Sequence, residues 1–218
     1  MSAYGGLSGI LRDMLDTLAR LTIRNLDCGC LTGVSLTVNP GEVVCLSGPS
    51  GGGKSRLLRA IADLDAHTGD VWWGNLHQGS IPAHQWRHHV MLLPAEAPWW
   101  FERVGDHFPA PAEAADLAAV GLPADTLDWP VTRLSSGERQ RAALLRMMVH
   151  DPKALLLDEP TANLDAATTE RVEAWLLRRI RSDRLTVLWV AHDMAQVRRV
   201  ASRHLRINGN RLETVAWT

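Results

Sequence analysis

The clearest chemical signature in the chain is a glycine-rich loop. Eight consecutive residues fit the pattern G-x-x-x-x-G-K-[ST], namely Gly48, Pro49, Ser50, Gly51, Gly52, Gly53, Lys54 and Ser55. The backbone N–H groups of such a loop can surround phosphate oxygens, and the start of the following helix adds partial positive charge. Lys54 would reach the β- and γ-phosphates of a nucleotide, and the Ser55 hydroxyl would bind Mg²⁺. We therefore predict a phosphate-binding loop here rather than an ordinary glycine-rich turn.

Two adjacent carboxylates form the second candidate group. Asp158 and Glu159 directly follow the apolar run 154–157. Because side chains alternate along a strand, the two carboxylates can take different roles. We predict that Asp158 points toward the metal, often through water, and that Glu159 points toward the water that attacks the γ-phosphate. Without the glycine loop, an acidic turn after a strand would be the simpler interpretation.

The hydrophobic pattern supplies the elements that must hold these groups. Short apolar runs predict strands over 21–26, 34–38, 43–46, 90–93, 154–157 and 186–190. A period near 3.6 predicts helices over 56–64, 138–149 and 166–181, the last one capped by Asp165. The alternation of strands and helices indicates an α/β fold with a mostly parallel sheet. We interpret residues 97–133 as a small helical insert and residues 1–20 as an N-terminal extension with a short helix.

A third polar segment stands just before the second of these helices. It reads Leu134, Ser135, Ser136, Gly137 and Glu138. Serine and glycine at a helix start can form a second phosphate-binding site, because unpaired N–H groups collect there. Taken alone, the segment would equally be a polar helix cap. Its place between the glycine loop and the carboxylate pair favours the phosphate-binding interpretation.

The order and spacing of these segments resemble the ATP-binding cassette ATPases across residues 21 to about 210, nearly the whole chain. In that resemblance, 48–55 is the Walker A loop, 155–159 is Walker B, 134–138 is the signature, Asn163, Leu164 and Asp165 form the D-loop, and His192 is the switch histidine. The resemblance implies a P-loop NTPase core with an N-terminal antiparallel β subdomain and a small helical subdomain at about 97–150. It implies a single ATPase domain over 21–218.

The resemblance also implies cofactors and partners. Arg56 would join the Walker A residues in binding ATP, and Ser55 and Asp158 would hold Mg²⁺. Two copies of the chain would sandwich two ATP molecules, with the signature of one copy facing the loop of the other. Glu159 and His192 would be catalytic. A separate transmembrane permease would receive the energy of hydrolysis, so the resemblance implies a cytoplasmic chain bound peripherally to the cytoplasmic face of the inner membrane.

Two positions depart from the family pattern. No Phe, Tyr or Trp occurs from Gly5 to Val71, where the family usually carries an aromatic residue that stacks on adenine. We therefore expect only a small preference for ATP over GTP. Where the family's Q-loop glutamine is expected, after Pro94, the chain has Ala95 and then Glu96. Either Glu96 substitutes as a metal ligand, or metal coordination and coupling are altered.

Composition limits the alternatives. The formal net charge is −1, so no global positive field is available to attract nucleic acid, and we expect no nucleic-acid partner. No apolar run approaches the roughly 18 residues that cross a bilayer, and the start lacks a secretion signal. Three cysteines fit a reducing cytosol. The rival hypotheses are a cassette protein acting on ribosomes or DNA, and a P-loop kinase of another class.

An aromatic cluster leaves two interpretations open. Trp99, Trp100 and Phe101 follow Glu96, in the region where family members grip a helix of the membrane subunit. Exposed aromatic side chains there would anchor a partner. They could equally pack under the helical insert. The nine histidines, including His84, His88, His89 and His107, form no recognisable metal-binding spacing, and we interpret these four as surface or core residues.

Overall fold

A computed structural model describes residues 20–110 and 112–216. Within these residues the strands are β1 Leu21–Cys28, β2 Leu31–Val38, β3 Val43–Ser47, β4 Thr68–Trp73, β5 Leu76–His77, β6 Val90–Leu93, β7 Ala154–Asp158, β8 Thr186–Val190, β9 Arg203–Asn208 and β10 Arg211–Val215. The α-helices are α1 Lys54–Ile61, α2 Ala83–His89, α3 Ala114–Ala119, α4 Ser136–Val149, α5 Ala166–Ser182 and α6 Met194–Val200. The predicted helix within residues 1–20 lies outside the described part.

The larger sheet has six strands in the order β10-β9-β3-β8-β7-β6, and all neighbours except β10 and β9 run parallel. Alternate side chains of its central strands enter two different cores. In β3, Val43 and Cys45 pack with α4 and α5, whereas Val44 and Leu46 pack with α1 and the smaller sheet. The sheet is therefore buried on both faces, which explains its near-continuous apolar runs.

The smaller sheet is antiparallel, with the order β2-β1-β4-β5. It covers α1 through Leu21, Ile23 and Val71, all fully or almost fully buried. This arrangement confirms the α/β fold class with an antiparallel N-terminal sheet. The strand β4 was not among the strands expected from the pattern, because its first three residues are exposed and polar or glycine.

The segment 97–133 is less helical than expected. Its described residues, 97–110 and 112–133, contain one six-residue α-helix, α3, and single helical turns at 105–107, 126–128 and 131–133. The helix α1 also differs from the expected 56–64: it begins at Lys54, and the backbone of Asp63 is left-handed at φ 58°. A left-handed residue cannot continue a right-handed helix, so the apolar stripe extends beyond the helix itself. Within the described residues, no helix has the length and hydropathy needed to cross a bilayer.

Candidate active site

The predicted catalytic segments meet at one edge of the parallel sheet. The glycine loop follows β3, Glu159 directly follows β7, and His192 is the second residue after β8. These three strands are neighbours in the order β3-β8-β7, and Val190 is level with both Leu46 and Asp158. Since parallel strands end at the same edge, the fold itself brings the three segments together.

The glycine loop is shaped around the lysine ammonium. Gly48, Gly51 and Gly53 have φ values of 145°, 74° and 94°, which other residues rarely adopt. Lys54 is only 6% exposed, and its Nζ donates to the carbonyl oxygens of Gly48 at 3.0 Å and Pro49 at 2.9 Å. The lysine ammonium therefore lies inside the loop. Loop and helix start together form a site for an anion.

Two oxygen donors suited to Mg²⁺ lie at the start of α1 and at the end of β7. The hydroxyl of Ser55 is exposed in the first turn of α1. Asp158, at the end of β7, is 7% exposed as a residue, and its carboxylate forms no hydrogen bond or ion pair with the described residues. A nearly buried carboxylate normally has a compensating partner. A hydroxyl and a carboxylate are hard oxygen ligands, so the donor set fits Mg²⁺.

Glu159 and His192 form a direct pair. His192 Nε2 lies 2.7 Å from Glu159 Oε1, and the two side chains are 46% and 33% exposed. The backbone of Glu159 is left-handed at φ 51°, an unfavourable conformation for a residue with a side chain. The turn immediately after β7 thus directs the carboxylate across to the end of β8. Strain of this kind is found at functional sites.

A buried polar network supports the two loops that carry this pair. Gln196 Nε2 donates to Thr161 Oγ1 at 2.7 Å and to Glu173 Oε1 at 2.8 Å. Arg199 completes the network with two hydrogen bonds to the Glu173 carboxylate, at 2.8 and 3.0 Å. Thr161 lies just beyond Glu159, and Gln196 lies just beyond His192. The network therefore fixes the segments after β7 and β8 to α5. No short motif marks these residues in the sequence.

The segment 134–138 begins α4 with a complete capping box. Ser135 Oγ accepts from Glu138 N at 3.3 Å, and Glu138 Oε2 accepts from Ser135 N at 2.9 Å. The hydrogen bond from the Ser135 backbone, with that from its side chain, lowers the pKa of Glu138. Ser135 and Ser136 are exposed, whereas Leu134 is buried and anchors the turn. The start of α4 is consequently exposed at Ser135 and Ser136.

The D-loop supports the same helix start from within the chain. A Cβ at Gly137 would lie 2.9 Å from the Asn163 carbonyl oxygen and 3.1 Å from Leu164 Cδ2. Only glycine allows this close approach. Asp165 caps α5 by accepting from Thr168 N at 2.9 Å, as predicted from its position. The segments 134–138 and 163–165 are therefore packed together as one surface.

Glu96 lines a cavity beside the start of α4. That cavity, of about 630 Å³, is lined by Glu96, Trp99, Ser136, Gln140 and Asn163 among others. The Gln140 side-chain nitrogen is buried there without a hydrogen-bond partner in the described residues. No hydrogen bond or ion pair links Glu96 to either expected metal ligand. The structure thus places the Q-loop substitute beside the signature helix.

The aromatic cluster 99–101 is partly buried and partly exposed, so each of the two interpretations, packing under the insert and anchoring a partner, fits some of its residues. Trp99 packs against the core under Arg146, whose guanidinium carbon is 4.5 Å from the ring centre. Trp100 and Phe101 are 62% and 51% exposed. His107 holds both of them, because its Nε2 accepts from the backbone N–H groups of Trp100 and Phe101 at 2.8 Å each. His107 is thus a hydrogen-bonding centre, a role that its sequence position does not indicate.

The exposed rings border an apolar groove of about 840 Å³. Leu64, Met91, Phe108 and Met147 contribute to its lining, and Arg146 and His150 stand at the same surface. Burial, with the positive charge of Arg146 and the neighbouring His88, lowers the pKa of His150. The groove therefore offers an apolar and aromatic surface with charged side chains among its lining residues, namely Arg59, Glu96, Asp106 and Arg146.

Comparison with known proteins assigns the family. Residues 31–162 match the family model described as ABC transporter. The chain is 38% identical over 187 residues to the aliphatic sulfonates import ATP-binding protein SsuB of Pseudomonas putida, covering 81% of this chain and 67% of that protein. It is 37% identical over 217 residues to the sulfate/thiosulfate import ATP-binding protein CysA of Burkholderia mallei, covering 89% of this chain and 62% of that protein.

A solved structure shares the fold. A bacterial Atm1-family ABC exporter with ATP bound matches with a TM-score of 0.78 at 24% identity, over 91% of this chain and 38% of that chain. The chain belongs to the ABC transporter family, as one of its ATP-binding subunits. It is accordingly an ATPase of the kind that drives transport, and a transmembrane partner is implied.

Proposed function

We propose that two copies of this chain bind and hydrolyse MgATP between them and thereby drive solute uptake through a separate transmembrane subunit. The observation that carries the proposal is the meeting of three segments at one sheet edge: the lysine-filled loop after β3, the carboxylates after β7 and the histidine after β8. We further propose that residues 21–218 act as one ATPase domain, with 97–150 as its helical subdomain.

The glycine loop and Arg56 would hold the nucleotide, with the Lys54 ammonium turning from the loop carbonyls to the β- and γ-phosphates. Ser55 and Asp158 would hold Mg²⁺, and Glu96 is a further candidate ligand only if its loop moves out of the cavity that it now lines. When bound, Mg²⁺ neutralises charge on the phosphate oxygens. The nearly buried Asp158 carboxylate would gain the positive partner that it lacks.

Glu159 and His192 would act on the attacking water and the γ-phosphate. A carboxylate at the end of β7 can accept a hydrogen bond from water and orient its lone pair toward phosphorus. The 2.7 Å contact with His192 Nε2 fixes the direction of the Glu159 carboxylate. Nucleotide entering the loop would draw the imidazole toward the γ-phosphate, so His192 would report whether that phosphate is present.

The second copy would complete the site. In the described residues, no hydrogen bond joins segment 134–138 to the glycine loop of the same chain, and Ser135 and Ser136 are exposed. A helix start that faces outward can bind the γ-phosphate held by another copy. Because the D-loop packs on Gly137, it would face the other copy together with the start of α4. ATP would then favour the closed dimer, and hydrolysis would remove that preference.

The membrane partner would contact the groove beside Trp100 and Phe101. Large exposed aromatic side chains are frequent anchors at interfaces, and here His107 holds their backbone in place. The chain would sit on the cytoplasmic face of the membrane. Uptake is the direction we propose, because the two relatives described above are named as import proteins, for aliphatic sulfonates and for sulfate or thiosulfate.

The proposal is tested by purifying the chain with its membrane partner and reconstituting both in lipid vesicles. We expect ATP hydrolysis that requires Mg²⁺ and that rises when the transported solute is supplied; sulfate and short alkyl sulfonates are the first solutes to try. Chelation of Mg²⁺ should stop the reaction. Hydrolysis that is the same with and without the membrane subunit, whatever the solute, would contradict coupling to transport.

A further inference from the structure

We propose that Arg56 holds the nucleotide base by stacking its planar guanidinium on it. The guanidinium would replace the aromatic side chain that the family usually carries and that this chain lacks from Gly5 to Val71. This role rests on the proposed binding of ATP in the glycine loop. Arg56 stands two residues after Lys54 in the first turn of α1 and is exposed. Its guanidinium forms no hydrogen bond or ion pair with residues 20–110 or 112–216. An exposed, unpaired cation beside a phosphate loop is available for the ligand.

The topology indicates which end of the loop faces the base. Glu159 and His192 follow β7 and β8, so the γ-phosphate must point to that side of β3. The nucleoside must extend the other way, toward β9 and β10. The turn between β1 and β2 lies on that side, because Thr32 N donates to Asn210 O at 3.0 Å and Asn210 Nδ2 donates to Thr32 Oγ1 at 2.9 Å.

The same turn touches both the glycine loop and Arg56. Cys30 Sγ lies 3.6 Å from the Gly52 carbonyl oxygen. At Gly29, a Cβ would come within 2.5 Å of Arg56 Cδ and 2.8 Å of one terminal guanidinium nitrogen. Arg56 therefore lies directly against the turn, and the loop, the guanidinium and the turn form one continuous surface. A nucleoside leaving the loop on this side must pass over Arg56.

The chemistry of the guanidinium suits this task. It is planar and weakly hydrated, and it stacks on the faces of aromatic rings, purines included. Stacking contacts the face of a base and leaves its hydrogen-bonding edge unread. The affinity for a base held in this way would depend little on its exocyclic groups, which distinguish adenine from guanine. The small preference for ATP over GTP that we expect from the sequence follows directly.

The first test compares ATP with inorganic tripolyphosphate, which has the phosphates but no base. We expect Arg56→Ala to weaken ATP binding on the order of 10-fold and to leave tripolyphosphate binding unchanged, as measured by calorimetry. Arg56→Lys should not restore ATP binding, because an ammonium lacks the planar face. Equal losses for both ligands would mean that Arg56 contacts phosphate, and unchanged ATP binding would mean that it contacts neither; each result overturns the proposal.

A second test moves Arg56 without changing it. Gly29→Ala would push the guanidinium off the turn, whereas Gly33→Ala has the same left-handed backbone, φ 62° against 59°, and no atom within 4 Å of the new Cβ. We expect Gly29→Ala to weaken ATP binding selectively and Gly33→Ala to leave it unchanged. Equal effects would assign the loss to backbone strain. If the unsubstituted chain bound neither ATP nor tripolyphosphate, the proposed function would be wrong. If it bound both and Arg56→Ala did not change ATP binding, only the proposed role of Arg56 would be wrong.

Discussion

Removing Arg199 should destabilise the chain by leaving the Glu173 carboxylate buried without its charge partner. Glu173 is 4% exposed and accepts two hydrogen bonds from Arg199 and one from Gln196. Loss of one partner of a buried ion pair costs about 3–5 kcal/mol. The Arg199 side chain is itself 40% exposed, so water can enter the vacated space, and screening lowers the expected cost to roughly 2–3 kcal/mol.

The assay is urea unfolding of Arg199→Ala, with Arg198→Ala as the matched control on the same helix. Arg198 is exposed and has no hydrogen bond or ion pair with the described residues, so its loss should cost less than about 0.5 kcal/mol. Adding Glu173→Gln to Arg199→Ala should recover part of the loss, because the buried charge disappears while an acceptor for Gln196 remains. A double variant less stable than Arg199→Ala would refute the reasoning, as would equal stability of the two single variants.

Three further outcomes follow from the site. Lys54→Ala should weaken ATP binding by about 1.5–3 kcal/mol in a calorimetric titration, since a charge-assisted contact is lost, and unchanged affinity would contradict the loop assignment. Ala95→Gln should raise the ATPase rate; an unchanged rate would indicate that Glu96 already fills the Q-loop role. Because its folded-state pKa is lowered, Glu138 contributes stability above the ordinary carboxyl pKa and loses it as pH falls through the lowered value. Lowering the pH should therefore reduce the free energy of unfolding of the unsubstituted chain more than that of Glu138→Gln. If the two free energies fall in parallel with pH, the result would count against the cap.

Much of the fold could be predicted because its signals are local. The strands β6 and β8 have the predicted bounds, and α5 begins behind its predicted cap at Asp165. The position of the glycine loop between a strand and a helix also follows from short-range pattern. Alternation of side chains along a strand and periodicity along a helix are properties of ten or so neighbouring residues, so sequence alone displays them.

The supporting contacts could not be predicted, because they join residues distant in the chain. Gln196 reaches Thr161 across 35 positions and Glu173 across 23. His107 draws its role from the fold of residues 99–107, where no periodicity marks it. Likewise, the sequence could place Glu96 after β6 but not in the cavity beside the signature helix. Tertiary packing, not local propensity, decides these positions.

The most direct test of the central claim is the oligomeric state of Glu159→Gln with ATP. The variant keeps the glycine loop, Lys54 and His192, and the glutamine amide still has an oxygen that can contact His192. It lacks only the carboxylate that would act on water. We predict that light scattering coupled to size exclusion shows a dimer when ATP and Mg²⁺ are present, a monomer without nucleotide, and no turnover in either case. A chain that stays monomeric with ATP bound, or that hydrolyses ATP without Glu159, would contradict the account.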